Sequence, residues 1–243
     1  MWISWCRLLP RDVAAIVVAG GQGLRVGGGV PKQYRPVGGI PIVLRALRPF
    51  TSHPEITQVV LVLPPSDVAQ PPDFLSQLQL PRDSLAFSIA SGGAHRGDSV
   101  RNGLAQLGDS CAVVLVHDGA RPFVERDVID AVIMHARQGH GAVAAVPLSD
   151  TLKEASPHEP SLVLRTRPRA RLWRAQTPQG FPRTMLEQAY QRAARLGRRA
   201  SDDAALVEAM GVPVRLVPDS SRNFKITTAE DLELAELLAG GPR

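Results

Sequence analysis

The chain reads as an α/β protein: a Rossmann-like doubly wound, mostly parallel sheet with a protruding β-arm. Three observations predict this. Short β-branched runs alternate with segments of helical apolar spacing as far as Pro147; turns rich in glycine or bearing aspartate follow several of those runs; and a stretch rich in Ser, Pro, Glu and Arg, residues 149–171, interrupts the pattern before it resumes. A βαβα order packs helices on both faces of the sheet and leaves ligands at the carboxyl ends of the strands.

Taken in order, strands are expected at Ala14 to Val18, Gln58 to Leu63, Phe87 to Ala90, Ala112 to Val116 and Ala142 to Val146. Between them Pro41 to Phe50, Arg96 to Leu107 and Glu125 to Arg137 have helical spacing, with Pro41 suited to a first helical position. The arm at 149–171 shows little period and buries little surface alone, so it is either a mobile loop or held by a partner. Helices at Arg183 to Leu196 and Asp202 to Met210, a strand near Val214 to Val217 and a helix from Ala229 to Leu238 complete the expectation, the last capped by Thr227-Thr228-Ala229-Glu230. Residues 1–12 read as an N-terminal extension and 13–240 as a single domain.

Composition narrows the function classes. At 243 residues and 44% hydrophobic, the chain can close a sizeable core. Its longest apolar runs fall far short of the roughly 20 residues that cross a bilayer. Neither a membrane span nor a secretory leader is expected. Cys6 and Cys111 offer no CxxC or metal-ligand spacing, which suits the cytoplasm. The net charge of +5 is spread along the chain without a basic block, so no nucleic-acid partner is expected. Of the 28 Lys plus Arg, only Lys32, Lys153 and Lys225 are lysines. A lysine kept against that background supplies a compact ammonium suited to a phosphate, or survives by chance.

The first predicted strand runs into Ala19-Gly20-Gly21-Gln22-Gly23-Leu24-Arg25, followed by Pro31-Lys32-Gln33. A dinucleotide fingerprint needs a third glycine where Val26 stands, and no GK[ST] marks a Walker loop. What remains is a glycine turn with Arg25 and Lys32, cations able to converge on a triphosphate. A second glycine turn, Gly92-Gly93, leads into the Arg96 helix; Asp98 or Ser99 caps that helix, or Gly93 and Ser99 read the edge of a base, and spacing leaves both open. His117-Asp118-Gly119-Ala120-Arg121 follows a hydrophobic strand, where Asp118 can hold Mg²⁺, water or a hydroxyl, or pair with Arg121. His117 reads as a packed or hydrogen-bonded residue, and the six histidines form no ligand set.

With PKQY at 31–34, GG–R–DSV at 92–100, HDGARP at 117–122, DTLK at 150–153, LW–TPQ–F at 172–181 and N–K–T at 223–227, the chain resembles the 2-C-methyl-D-erythritol 4-phosphate cytidylyltransferase family over about residues 13–238. The resemblance implies transfer of CMP from CTP to methylerythritol phosphate, with Mg²⁺ as cofactor. It implies that Arg25, Lys32 and Lys225 stabilise charge on the reacting phosphates. Ala19, Gly20, Gly21, Gly23, Gly93, Arg96, Ser99, Asp118 and Gly119 would hold CTP, with Asp118 near the magnesium, directly or indirectly. Arg121, Thr151, Arg169 and Thr177 match positions that hold the acceptor. The family's arm is exchanged between two subunits, so the resemblance implies a homodimer in which Thr151 and Arg169 serve the neighbour. Leu24, Ala94 and Arg222 depart from common family residues. The acceptor phosphate is already largely dianionic at pH 7, so no general base is expected and catalysis falls to positioning and charge. A transferase for ribitol 5-phosphate or another sugar phosphate, and a nucleotide-binding protein without turnover, are the alternatives; a second fused activity is not expected.

Overall fold

The computed structural model describes residues 11–21, 29–78, 80, 85–199 and 201–240. Its strands in chain order are β1 (Val13–Val18), β2 (Pro36–Val37), β3 (Ile40–Pro41), β4 (Ile56–Leu63), β5 (Ala86–Ser91), β6 (Val113–Asp118), β7 (Gly141–Pro147), β8 (Leu152–Ala155), β9 (Val163–Arg167), β10 (Trp173–Pro182) and β11 (Val214–Pro218). The helices are α1 (Ile42–Thr51), α2 (Pro65–Ala69), α3 (Arg96–Leu104), α4 (Arg126–Arg137), α5 (Arg183–Arg195), α6 (Asp203–Glu208) and α7 (Ala229–Gly240).

Seven strands form one sheet in the order β11-β7-β10-β6-β1-β4-β5. β1 shows why these runs become strands: Ala14 and Ile16 enter one apolar layer while Val13, Ala15 and Val17 enter the other, the two-residue period of a pleated strand. Val43, Leu47 and Phe50 of α1 and Ile129, Val132 and Ile133 of α4 cover one face. Val100 and Leu104 of α3, Leu186 and Ala189 of α5 and Val207 of α6 cover the other. Gly103 lets α3 lie close, because a Cβ there would sit 2.6 Å from Cγ2 of Ile16. β1 pairs in parallel with β4 on one side and β6 on the other, so the chain reverses direction across the sheet at β1 and opens a crevice beyond the carboxyl ends.

The doubly wound expectation holds, with three differences. The sequence pattern does not predict β10 as a strand, yet it lies antiparallel between β6 and β7 near the middle of the sheet. Its sequence, WRAQTPQGFP, lacks β-branched alternation, and its pairing with β7 breaks between Ala175 and Gln179, around Pro178. Pro41 is the N-cap of α1 rather than its first helical residue. The cap of α7 sits one residue later than expected: the Asp231 amide donates to Thr228 Oγ1 at 3.3 Å while the Thr228 amide donates to Asp231 Oδ2 at 2.9 Å. Within 149–171, β8 and β9 pair as an antiparallel hairpin, and every residue of β9 is exposed.

Candidate active site

A cleft of about 790 Å³ opens at the carboxyl ends of β1, β4, β5 and β6. Two glycine turns form its floor. The Ala19 amide donates to the Val62 carbonyl at 2.8 Å and the Gly92 amide to Leu63 at 2.7 Å, which ties both turns to the end of β4. A Cβ on Gly20 would lie 3.1 Å from the Gly92 Cα, so glycine lets the two turns touch without either backbone giving way. Gln33, in the 3₁₀ turn Lys32–Tyr34, donates from Nε2 to the Gly21 carbonyl at 3.0 Å and to Ala19 at 3.3 Å, fixing the exit of β1. Asp98 accepts the His95 amide at 3.1 Å and so caps α3; Ser99 Oγ instead accepts the Gly93 amide at 3.1 Å and donates to the His95 carbonyl at 3.3 Å. Asp98 thus takes the capping role, and Ser99 ties the second glycine turn to the start of α3.

Charge concentrates on Asp118, the last residue of β6. Lys225 Nζ donates to its Oδ2 at 3.0 Å and Arg96 Nε to its Oδ1 at 3.1 Å, while Arg121 Nε stands 3.8 Å from Oδ2. Burial raises the carboxyl's pKa, but Arg96, Lys225 and Arg121 together outweigh it and hold Asp118 well below the usual carboxylate range. Arg96 is gripped from behind: Nη1 donates to Asp203 Oδ2 at 2.8 Å, and the Tyr190 hydroxyl bonds the other oxygen of that buried carboxylate. Burial lowers the Arg96 pKa; Asp203 and Asp118 more than restore it, so the guanidinium stays charged. Burial lowers the pKa of Arg121 too, and Asp118 opposes that fall. Lys32 Nζ donates to the Ile226 carbonyl at 2.9 Å, so its ammonium is anchored to the residue that follows Lys225 in the chain.

Beneath Asp118 lies a second set of bonds. The Asp118 amide donates to Thr177 Oγ1 at 3.0 Å, Thr177 Oγ1 meets His117 Nδ1 at 3.0 Å, and His117 Nε2 meets the Arg121 carbonyl at 3.0 Å. Burial pushes the pKa of His117 down to about 4, and its ring meets Phe50 at a tilt of 47° with centroids 4.9 Å apart. Arg121 Nη1 donates to the Asn223 carbonyl at 2.8 Å, and Asn223 Nδ2 returns a bond to the Thr177 carbonyl at 2.8 Å.

The structure therefore brings Ala19, Gly20, Gly21, Lys32, Gly93, Arg96, Ser99, Asp118, Gly119 and Lys225 to one cleft. Gly23 and Arg25 lie outside the described residues, as do Leu24 and Cys6. Arg121 and Thr177 are buried, below 10% exposed, with their polar atoms turned into the network under Asp118. Thr151 and Arg169 are exposed on the arm segment, and the Arg169 guanidinium bonds the Ser149 carbonyl. Sequence reasoning assigns no role to Gln33, Asp203, Tyr190 or Asn223. Gln33 and Asn223 stand inside the sequence motifs, and their full burial is the signal that separates them from solvent-facing neighbours.

Nucleotidyl transfer asks little covalent chemistry of a protein and much fixed positive charge. Three cations around one ionised carboxylate, beside two glycine turns that leave the cleft open, meet that demand and define the class as a nucleotidyltransferase on a doubly wound sheet. The family model for IspD, 2-C-methyl-D-erythritol 4-phosphate cytidylyltransferase, matches residues 13–240. A relative of that name from Syntrophus aciditrophicus is 42% identical over 94% of this chain and 96% of its own length. Another from Frankia casuarinae is 45% identical over 94% of this chain and 81% of its own. The crystal structure of the Thermus thermophilus enzyme of the same name superposes with a TM-score of 0.72 at 35% identity, covering 94% of this chain and 98% of that one. The chain belongs to the 2-C-methyl-D-erythritol 4-phosphate cytidylyltransferase family.

Proposed function

We infer that this chain transfers CMP from CTP to 2-C-methyl-D-erythritol 4-phosphate, giving 4-diphosphocytidyl-2-C-methyl-D-erythritol and pyrophosphate in isoprenoid precursor biosynthesis. The observation that carries the reading is that Lys32 and Lys225 line the same glycine cleft, with Lys225 on Asp118 and Lys32 on the carbonyl of Ile226, the residue after Lys225. A phosphate monoester with a second pKa of about 6 is mostly dianionic at neutral pH, so its oxygen attacks the α-phosphorus without a base. One P–O bond forms in line as the bond to the β-phosphate bridging oxygen breaks, and pyrophosphate leaves with that electron pair. Lys32, Lys225 and Arg25 offset the charge that builds on the reacting and departing phosphates. Gly20, Gly93 and Ser99 shape the base end of the cleft. Ala19 joins them at the base end; Gly21 and Gly119 line the rest of the CTP path, and Gly23 is assigned to it by its place in the glycine motif.

Magnesium fits the donors available. Asp118 is an ionised carboxylate on the cleft wall, and no cluster of three or more His, Cys, Asp or Glu occurs among the described residues. Mg²⁺ is commonly held by one or two carboxylates together with substrate phosphates and water, whereas a dedicated protein cage would need more ligands. When bound, the ion would neutralise triphosphate charge and orient the leaving group. Asp118 would hold it, with Arg96 and Arg121 keeping the carboxylate ionised.

The working form is proposed to be a homodimer built on the arm. Supporting it are the exposed apolar run Leu162, Val163 and Leu164, each above half exposed, and the position of Thr151 and Arg169 outside this chain's cleft lining. Those two residues would hold methylerythritol phosphate; Arg121 and Thr177, which the resemblance also places there, are buried with Nη1 and Oγ1 bonded into the network under Asp118 and would act by bracing the site. A cytoplasmic location is supported by the buried free thiol of Cys111, and no described helix is long and apolar enough to cross a membrane. Phosphorus NMR of a reaction containing CTP, Mg²⁺ and methylerythritol 4-phosphate tests the reaction. New coupled diphosphate doublets with free pyrophosphate are expected; unchanged CTP resonances would contradict the reading.

A further inference from the structure

His117 is fully buried, precedes the carboxylate on which Arg96, Arg121 and Lys225 converge, and is not among the residues lining the cleft. A buried histidine of this kind is commonly a packing residue, and its contact with Phe50 provides part of that. Its hydrogen bonds do something more specific. The Arg121 carbonyl can only accept, so His117 Nε2 carries the hydrogen and Nδ1 is left as an acceptor. Thr177 must then donate its hydroxyl hydrogen to Nδ1, which leaves the Thr177 oxygen to accept the Asp118 amide. Every donor and acceptor in the chain Asp118 N–H, Thr177 O–H, His117 ring, Arg121 C=O is used once and in one direction.

The two ends of that chain bracket one turn. Asp118 and Arg121 are themselves joined by the Arg121 amide donating to the Asp118 carbonyl at 3.0 Å. The ring therefore closes a loop of bonds around the turn that carries the Asp118 carboxylate and the Arg121 guanidinium. Thr177 also accepts at its carbonyl from Asn223, two residues before Lys225, so the same brace reaches the segment bearing the lysine. The carboxylate's distances to Arg96 and Lys225 depend on where β6 ends and on how the turn leaves it. Bonds that orient a functional group in this way, without touching the ligand, typically matter about 10–100-fold to activity when removed.

We infer that His117 is a positioning residue for nucleotidyl transfer: in its Nε2–H form it clamps the 118–121 turn through Thr177 and the Arg121 carbonyl, and so sets Asp118 between Arg96 and Lys225. It touches neither nucleotide nor acceptor. The inference rests on the cytidylyltransferase reading, and the test separates the two: absence of turnover in the unmodified protein defeats that reading, whereas the variants below address only the clamp.

The experiment measures kcat and KM for both substrates in His117→Gln, His117→Phe, Thr177→Val and the double variant His117→Phe/Thr177→Val, with thermal unfolding of each. Glutamine carries one acceptor and one donor and can restore both bonds; phenylalanine supplies a larger aromatic ring against Phe50 and neither bond. His117→Phe is expected to lose about 10–100-fold in kcat, with KM for CTP changed less than about threefold because the base end of the cleft is built from other segments. His117→Gln is expected to recover most of that loss. If His117 acts through Thr177, the double variant falls no further in kcat than the worse single one. Losses that multiply in the double variant, or a folded His117→Phe with kcat within about threefold of the unmodified enzyme, would overturn the inference. Should His117→Phe not fold, histidine-ring ¹⁵N shifts in the unmodified protein still decide: a ring protonated on Nε2 with Nδ1 accepting is expected, and the opposite form for His117 removes the clamp.

Discussion

Arginine and carboxylate meet in several places in this molecule, and two of them, the cleft and the arm, have different outcomes. In the cleft, Arg96 is locked between Asp118 and the buried Asp203, with Lys225 and Arg121 alongside. On the arm, Arg165 and Arg167 both reach Glu154 from an adjacent strand, in a hairpin whose β9 residues all face solvent. The arm pairs hold Glu154's pKa down, yet water and salt screen them and the side chains give up freedom to make them. In the cleft Asp203 is fully buried and Asp118 nearly so, so those charges depend on their partners being in place. The same chemistry thus acts as a fixed electrostatic frame at the end of β6 and as a solvated surface on the arm.

The largest expected effect breaks the buried half of that comparison. Arg96→Ala strands Asp203 in the core with only Tyr190 beside it, and should lower unfolding stability by about 3–5 kcal/mol in urea titration. A change within error would mean the cleft pairs behave like surface pairs. Next come the lysines: Lys32→Ala and Lys225→Ala should each lose about 10²–10³ in kcat, some 3–4 kcal/mol of transition-state stabilisation. Lys153→Ala removes an arm lysine bonded to Thr166, and kcat should stay within about threefold. Equal losses at all three would dissolve the distinction between cleft and arm.

A smaller effect follows from His117, whose ring is held at about 4 by burial. Above about pH 6.5 neither folded nor unfolded chain protonates it and its full contribution is present. As pH falls below that value the unfolded chain takes up a proton that the folded state refuses, so stability declines until about pH 4. The total is on the order of 3 kcal/mol, and His117→Gln should flatten that decline in chelator-treated enzyme. The smallest effect is Glu154→Gln on the arm, expected to leave the urea midpoint unmoved. A clear shift there would show that the exposed pairs contribute to folding.

Those effects also mark what the sequence could and could not reveal. β1, β4 and β6 are legible because β-branched residues alternate or run together where both faces are covered. β10 is not, since its arginine, glutamines, proline and glycine mimic a loop, and only its neighbours β6 and β7 make it a strand. In the site, the glycine turns, Lys32, Asp118 and Lys225 stand out by composition and position at strand ends. The frame around them does not: Arg96 and Asp203 lie 107 residues apart, and His117 and Thr177 lie 60 apart. Burial, which no local pattern encodes, turns Asp203 from an ordinary helix-start carboxylate into the group that aims Arg96.

The central claim is that this frame moves CMP onto one acceptor, and pyrophosphate release from CTP with Mg²⁺ tests it most directly when methylerythritol 4-phosphate, ribitol 5-phosphate and no acceptor are compared. Rapid release with methylerythritol 4-phosphate alone is predicted. Release with ribitol 5-phosphate instead would contradict the acceptor assignment, and silence with every acceptor would contradict turnover itself.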